Sequence, residues 1–285
     1  MHLEAVDTVG VVGAGTMGNG IAQVAATAGY DVVMRDVSEE LVAAGFDDIQ
    51  ASFETLIARE TVTEQEAEAA RARITGTTEM DDLAGADLVV EAVTEDMEIK
   101  QSVFEELDAV CGPDAVLASN TSTLSITTIA SATDRPGQVL GLHFMNPVPV
   151  MKGVELVVGE KTSDETVTLG REFAHDIGKE TWAADDKPGF VVNRVLMPWI
   201  NEGIRAYDEG VADKADIDRG LTLGTNVPMG PLELADHIGL DVVLDASETL
   251  HEELGDRYKP AYLLKRKVAA GDLGKKSGRG FYDYD

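Results

Sequence analysis

Three glycines spaced Gly13-x-Gly15-x-x-Gly18, set between a β-branched run and a small-residue helix, constrain this chain more than any other feature. Val6 to Val12 reads as a short strand and Asn19 to Ala28 as a helix. After Gly29, Asp31 to Met34 reads as a second strand ending in Arg35-Asp36. Strand, glycine turn, helix and strand in this order form the opening crossover of a doubly wound parallel sheet. Gly13 makes the tight turn, Gly15 lets a pyrophosphate approach the backbone, and Gly18 lets helix and strand pack closely. The helix N-terminus adds unpaired N–H groups and the positive end of its dipole, which suit a phosphate. Asp36 closes the second strand, where a carboxylate hydrogen-bonds the adenosine ribose 2′-hydroxyl and repels a 2′-phosphate. The motif therefore reads as one for NAD; Arg35, next to Asp36, is the residue that speaks for NADP.

The pattern continues. Helical periodicity runs from Glu39 to Arg59, and a further helix starts at the capping box Thr63-x-x-Glu66 and extends to about Arg73. Asp87 to Ala92 is a third, buried strand, Ile99 to Val110 a helix, and Ala115 to Ala118 a fourth strand leading into Ser119-Asn120-Thr121-Ser122. Two more strands carry His143 and Glu155. At Asp185-Asp186-Lys187-Pro188-Gly189 the character changes. Beyond it only helical periodicity remains, at Val191 to Asp208, Lys214 to Leu223, Pro231 to His237, Asp241 to Glu253 and Pro260 to Ala270. The expected fold class is α/β: a Rossmann-type domain with a parallel-rich doubly wound sheet over residues 1–186, then an all-α domain over 187–285.

Residues 141–158 hold the strongest chemical signal. His143 and Glu155 each sit in an apolar run, separated by a turn with two prolines and a glycine. An unpartnered carboxylate in a buried strand costs several kcal/mol, about the desolvation penalty of an ion, or else gives up its charge. The economical arrangement pairs the two: Glu155 accepts a hydrogen bond from one imidazole nitrogen and the other faces a substrate, a general base with its orienting partner. His143 also ends a strand that delivers it to the carboxyl edge of the sheet, where ligands of such folds bind. The other four of the five histidines, His2, His175, His237 and His251, have polar or helical surroundings and receive no role.

Composition excludes several functions. Fifty-two acidic against 23 basic residues give a net charge of −29, which repels a nucleic-acid backbone. The acids are spread along the whole chain, as in a surface adapted to high salt, where the Debye length shrinks to about 3 Å at 1 M. No apolar run approaches the roughly 18 residues of a membrane span, and the N-terminus lacks the pattern of a signal peptide. A single cysteine, Cys111, agrees with a cytoplasmic protein. No metal is implied. One stretch departs from the acidic pattern: Lys259, Lys265, Arg266, Lys267, Lys275, Lys276 and Arg279 meet only Asp272, Asp283 and Asp285. It reads either as a patch for a phosphate-bearing ligand or acidic partner, or as solvated helix ends.

Taken together, these segments resemble the L-3-hydroxyacyl-CoA dehydrogenase family over essentially the whole length. The likeness rests on residues 12–18 (VGAGTMG), 90–95 (VEAVTE), 119–122 (SNTS) and 141–148 (GLHFMNPV). In the helical half it rests on residues 186–194 (DKPGFVVNR), 229–241 (MGPLELADHIGLD) and 273–282 (LGKKSGRGFY). The resemblance implies an enzyme that uses NAD to oxidise an L-3-hydroxyacyl-CoA, with His143 taking the proton of the 3-hydroxyl and Glu155 holding its tautomer. It implies that Ser122 and Asn193 hydrogen-bond the reacting substrate. The NAD contacts it implies are Gly13, Ala14, Gly15, Thr16, Met17, Gly18, Asp36, Glu95, Lys100, Ser122, Asn146 and Lys276. Ser52 and Arg59 match CoA contacts, two helical turns apart on one helix face. Family members usually carry lysine at the Arg59 position amid other basic residues; here Glu54, Glu60 and Glu64 surround it. The resemblance further implies a homodimer formed through the helical domain, and a stand-alone enzyme of fatty-acid metabolism such as β-oxidation, with no membrane or nucleic-acid partner.

Two other readings stand beside this one. The acidic neighbours of Arg59 keep open a related NAD-dependent dehydrogenase of a non-CoA hydroxy acid or sugar acid. A non-catalytic NAD-binding or structural protein is the more remote, because His143, Glu155, Ser122 and Asn193 are all retained.

Overall fold

The computed structural model describes residues 3–284, so Met1, His2 and Asp285 lie outside it. The chain divides into two compact units, Met1–Lys187 and Pro188–Asp285.

In chain order the first unit contains β1 (Thr8–Val12), α1 (Thr16–Ala28), β2 (Asp31–Arg35), α2 (Glu39–Ala58), α3 (Glu64–Arg71), β3 (Ile74–Thr77) and β4 (Leu88–Glu91). It continues with α4 (Met97–Val110), β5 (Val116–Ser119), α5 (Ile126–Ala130), β6 (Val139–Phe144), β7 (Gly153–Val158), α6 (Asp164–Asp176) and β8 (Glu180–Asp185). Its eight strands make one sheet in the order β3-β2-β1-β4-β5-β6-β7-β8. Every junction is parallel except β6–β7. The strand order reverses between β1 and β4, which opens the crevice where doubly wound sheets bind ligands.

Helices cover both faces of the central strands, so these strands are apolar without alternation: β4, β5 and β6 are buried at every position. The two strands absent from the sequence reading, β3 and β8, are the two edges of the sheet. Each is only partly buried and mixes small or polar residues with few apolar ones, so neither makes an apolar run. Helix α6 also goes unread in the sequence; Ser163 caps it by accepting from Thr166 N–H, and its apolar stripe is narrow. The predicted capping box at α3 is present, with Thr63 and Glu66 each accepting the other's backbone N–H.

Parallel geometry gathers chemistry at one edge. Gly13 follows β1, Asp36 follows β2, Glu91 ends β4, Ser119 ends β5 and His143 lies one residue from the end of β6. Because β7 runs the opposite way, Glu155 near its start returns to that same edge.

The second unit is helical: α7 (Val192–Asp208), α8 (Lys214–Thr225), α9 (Pro231–Ile238), α10 (Leu240–Leu254) and α11 (Tyr262–Ala269). Ile200, Ile204, Leu232, Val243, Leu250 and Leu264, all fully buried, form its centre. Two buried carboxylates organise it. Asp218 caps α9 by accepting from Leu232 N–H and Glu233 N–H at 2.8 and 2.9 Å. Asp236 accepts from the backbone N–H groups of Phe281 and Tyr282, both at 2.8 Å, and so ties the C-terminal segment to α9. Among the described residues no helix is long and apolar enough to cross a membrane.

Candidate active site

The glycine loop explains itself through what a side chain would meet. Gly13 has φ +101°, and a Cβ there would stand 2.6 Å from the Ala92 carbonyl oxygen. A Cβ on Gly18 would stand 1.7 Å from the Gly13 carbonyl oxygen. These two glycines are demanded by the protein's own packing. Gly15 is different: it is exposed at the start of α1, and a Cβ there would meet nothing within 4 Å. The bare backbone at Gly15 thus opens a surface beside the α1 N-terminus, the ground that a pyrophosphate takes in such folds. Asp36 borders this loop, its two carboxylate oxygens accepting from Ala14 N–H at 2.7 Å and Val37 N–H at 2.6 Å. Arg35 instead turns its Nε–H to the Thr78 carbonyl oxygen at 3.1 Å, toward the backbone beyond β3.

Between β4 and β5 lies a charged cluster that the sequence exposes only in part. Lys100 on α4 is 1% exposed, and its ammonium donates to Glu91 Oε1 at 2.7 Å and to the Val93 carbonyl oxygen at 3.3 Å. Glu91, fully buried, also accepts from Ser119 Oγ at 2.6 Å and Val93 N–H at 2.7 Å. Glu95 completes the group: Oε2 lies 3.3 Å from Lys100, and Oε1 accepts from Thr121 Oγ1 at 2.6 Å and from Ser122 N–H at 2.8 Å. Burial alone raises the Glu95 pKa; Lys100 and the hydrogen bonds from Thr121 and Ser122 outweigh it and hold the carboxyl below its ordinary range. Three expected cofactor contacts, Glu95, Lys100 and Ser122, are therefore one connected structure. Glu91, the residue that anchors it, went unread. Its signal was present, a carboxylate in the apolar run Val89-Val90-Glu91-Ala92-Val93, the same kind of anomaly that marks Glu155.

His143 and Glu155 do meet. They are direct partners in the β6–β7 register, and Nδ1 of His143 lies 3.0 Å from Oε2 of Glu155. A carboxylate only accepts, so Nδ1 carries the proton of this hydrogen bond. Glu155 is fully buried and His143 is 8% exposed. The second carboxylate oxygen, Oε1, accepts from Nε1–H of Trp182 on β8 at 3.1 Å, a partner no sequence pattern announces. Asn120 Oδ1 accepts the backbone N–H of Phe144 at 2.9 Å and ties the loop after β5 to the end of the histidine strand.

The hairpin that follows, with Asn146 exposed on it, is held from below. Lys179 is 7% exposed and donates to the carbonyl oxygens of Val148 at 2.6 Å and Met151 at 2.8 Å. Burial pushes the pKa of its ammonium below the ordinary lysine value.

Comparison with known proteins decides the family. Residues 8–187 match the model of the 3-hydroxyacyl-CoA dehydrogenase NAD-binding domain, and residues 189–284 match the model of the C-terminal domain of the same proteins. This chain belongs to the 3-hydroxyacyl-CoA dehydrogenase family. A 3-hydroxybutyryl-CoA dehydrogenase of Bradyrhizobium diazoefficiens is 49% identical over 277 residues, covering 97% of this chain and 94% of that one. The human mitochondrial hydroxyacyl-coenzyme A dehydrogenase is 40% identical, covering 97% of this chain and 90% of that one. Among solved structures, an (S)-3-hydroxybutyryl-CoA dehydrogenase of Ralstonia eutropha superimposes with a TM-score of 0.94 at 46% identity, covering 99% of this chain and 100% of that one.

The cofactor of this family's N-terminal domain is NAD, and the open backbone at Gly15 with Asp36 beside it fits that molecule. Other residues that the resemblance singles out lie apart from the sheet edge. Ser52 is half-buried on α2, and Arg59 is the exposed C-cap residue of that helix. A groove of about 500 Å³ between α2 and α3 is lined by Phe53, Ile57, Glu54, Glu64, Glu68 and Arg71 among others, and contains neither of the two. In the second unit Asn193 stands in the first turn of α7. Lys276 there lies 2.6 Å from Asp241. The basic stretch around it is mostly neutralised in place: Lys265 pairs with Glu248, Lys267 with Asp272, and Arg279 with Asp272 and Asp283.

Proposed function

We propose that this family member catalyses the reversible, NAD-dependent oxidation of an L-3-hydroxyacyl-CoA to the 3-oxoacyl-CoA, with the four-carbon 3-hydroxybutyryl ester as its substrate class. The observation that carries the reading is the His143–Glu155 pair, 3.0 Å apart at the sheet edge that also bears the glycine loop. Nε2 of His143 takes the proton of the 3-hydroxyl as C3 becomes a carbonyl carbon. The imidazolium so formed is stabilised by Glu155, which stays ionised at Oε2. NAD, when bound, accepts the hydride that C3 releases. Gly13, Ala14, Gly15, Thr16, Met17 and Gly18 hold its pyrophosphate, Asp36 its adenosine ribose, and Glu95, Lys100, Ser122, Asn146 and Lys276 the region near the nicotinamide. Lys100, whose ammonium is enclosed, serves by fixing Glu95. Ser122 and Asn193 hydrogen-bond the reacting oxygen, and Ser52 and Arg59 contact CoA.

The surface around the CoA contacts is acidic, and CoA is itself a polyanion. Its binding to a protein of net charge −29 therefore strengthens as salt screens the repulsion. A cytoplasmic, salt-adapted enzyme of fatty-acid metabolism, dimerising through its helical unit, is the setting we propose. One observation favours a second reading: Glu54, Glu60 and Glu64 flank Arg59 in place of basic residues, which keeps a non-CoA hydroxy acid or sugar acid in view. Reduction of acetoacetyl-CoA, followed by loss of NADH absorbance at low and at molar salt, separates the two. Turnover of the CoA ester that rises with salt is expected. Turnover of acetoacetate but not of its CoA ester assigns the second reading instead.

A further inference from the structure

We infer that Trp182 is a positioning residue of the catalytic pair, orienting the Glu155 carboxylate through its indole N–H; this rests on the roles of His143 and Glu155 given above. His143 pairs with Glu155 between β6 and β7, and Glu155 pairs with Trp182 between β7 and β8. Directly opposed residues of neighbouring strands project to one face of a sheet, so the three side chains stand in a row. The indole Nε1 lies 3.1 Å from Oε1, and the imidazole Nδ1 lies 3.0 Å from Oε2. An indole N–H only donates, so each carboxylate oxygen has a nitrogen donor of its own and the carboxylate is gripped from both sides.

The terminal torsion of a glutamate is a broad, roughly two-fold rotor. With the indole bond in place, rotation costs a hydrogen bond to a charged acceptor, one of the stronger kinds. The oxygen facing the imidazole is thereby kept in the orientation that fixes the Nδ1–H tautomer. The sequence also makes room for the indole. Gly153, which opens β7, has its absent Cβ position 2.8 Å from two ring carbons of Trp182, so a side chain there would push the indole off its place.

Trp182→Phe removes the N–H and keeps a ring. Its kcat falls about tenfold, the worth of one hydrogen bond to a charged group. KM for the acyl-CoA and for NAD stays within about twofold, because the lost interaction acts on the chemical step. The chain has only two tryptophans, Trp182 and Trp199, so a Trp199→Phe background leaves one indole N–H proton resonance. That resonance lies downfield and shifts on Glu155→Gln. Unchanged kcat in Trp182→Phe overturns the inference, and so does an indole resonance indifferent to Glu155→Gln. The second measurement keeps Trp182 in place and decides the matter even where Trp182→Phe does not fold. Turnover that survives His143→Ala would instead remove the reading on which the inference rests. Turnover lost in His143→Ala but wild-type in Trp182→Phe strikes Trp182 alone.

Discussion

Glu91 and Glu155 are both fully buried carboxylates at the same edge of one sheet, yet they do different work. Each obeys the same rule: a buried charge is tolerated only when paired and hydrogen-bonded. Glu91 is answered by the Lys100 ammonium, the Ser119 hydroxyl and the Val93 N–H, and Lys100 itself is 1% exposed. The result is a sealed knot that sets the Glu95–Ser122 loop. Glu155 is answered by an imidazole and an indole, and the imidazole is 8% exposed. A lysine ammonium stays charged through the neutral range, whereas an imidazole exchanges a proton within it. Burial of charge therefore marks an ion pair, and under the proposed function the chemistry of the partner separates a scaffold, Glu91–Lys100, from a catalyst, His143–Glu155.

The comparison breaks first at the histidine. His143→Ala is expected to lower kcat by about a thousandfold, within the range of general-base catalysis, while NAD affinity by fluorescence titration stays put. Wild-type turnover would place the chemistry elsewhere. On the scaffold side, Lys100→Met leaves Glu91 buried and unpaired, and urea unfolding should show a loss of about 3–5 kcal/mol. A variant as stable as the parent would mean that the knot carries no structural weight.

Glu155→Gln should cost about tenfold to a hundredfold in kcat, since orientation survives in part while stabilisation of the imidazolium does not. Wild-type turnover in Glu155→Gln would show that the two residues do not act together. Asp36→Ala should narrow the preference for NAD over NADP about tenfold, the worth of one hydrogen bond plus a removed repulsion. An unaltered ratio would strip Asp36 of its ribose role.

The smallest effect concerns Glu95, whose carboxyl is held below its ordinary value of 4.5. A depressed carboxylate contributes stability that is full above the unfolded pKa and is lost as pH falls through the lower folded value. The stability difference between the parent and Glu95→Gln should therefore shrink as pH drops from about 6 toward 3. A difference constant over that window would mean that the charge on Glu95 does not hold the Ser122 loop.

Legibility in the sequence followed burial. Strands β1, β4, β5 and β6 lie inside the sheet, are buried on both faces, and announce themselves as apolar runs. The edge strands β3 and β8 show one partly buried face and left no such run. The same holds for the site. His143 and Glu155 stood out because an ionisable group in an apolar strand needs a reason, and Glu91 offered that signal equally. Trp182 offered none, because an aromatic residue in a half-buried edge strand is ordinary and only its register with Glu155 gives it a task. The basic stretch near the C-terminus shows what clustering in sequence leaves undecided. Its clustering in sequence left a ligand patch and solvated helix ends equally open; in the structure Lys265, Lys267, Lys276 and Arg279 are met by carboxylates of their own unit.

By itself the sequence determined what depends on local sterics and on the cost of burial. The glycine turn needs backbone freedom at Gly13 and close packing at Gly18. The apolar strands and helix periodicities, and the need of His143 and Glu155 for partners, follow from the same local rules. Tertiary structure alone decided who those partners are. The antiparallel return of β7 placed Glu155 opposite His143 and Trp182 opposite Glu155, and α4 brought Lys100 back to Glu91. Register and helix placement are set by the packing of the whole sheet, and no window of sequence contains that.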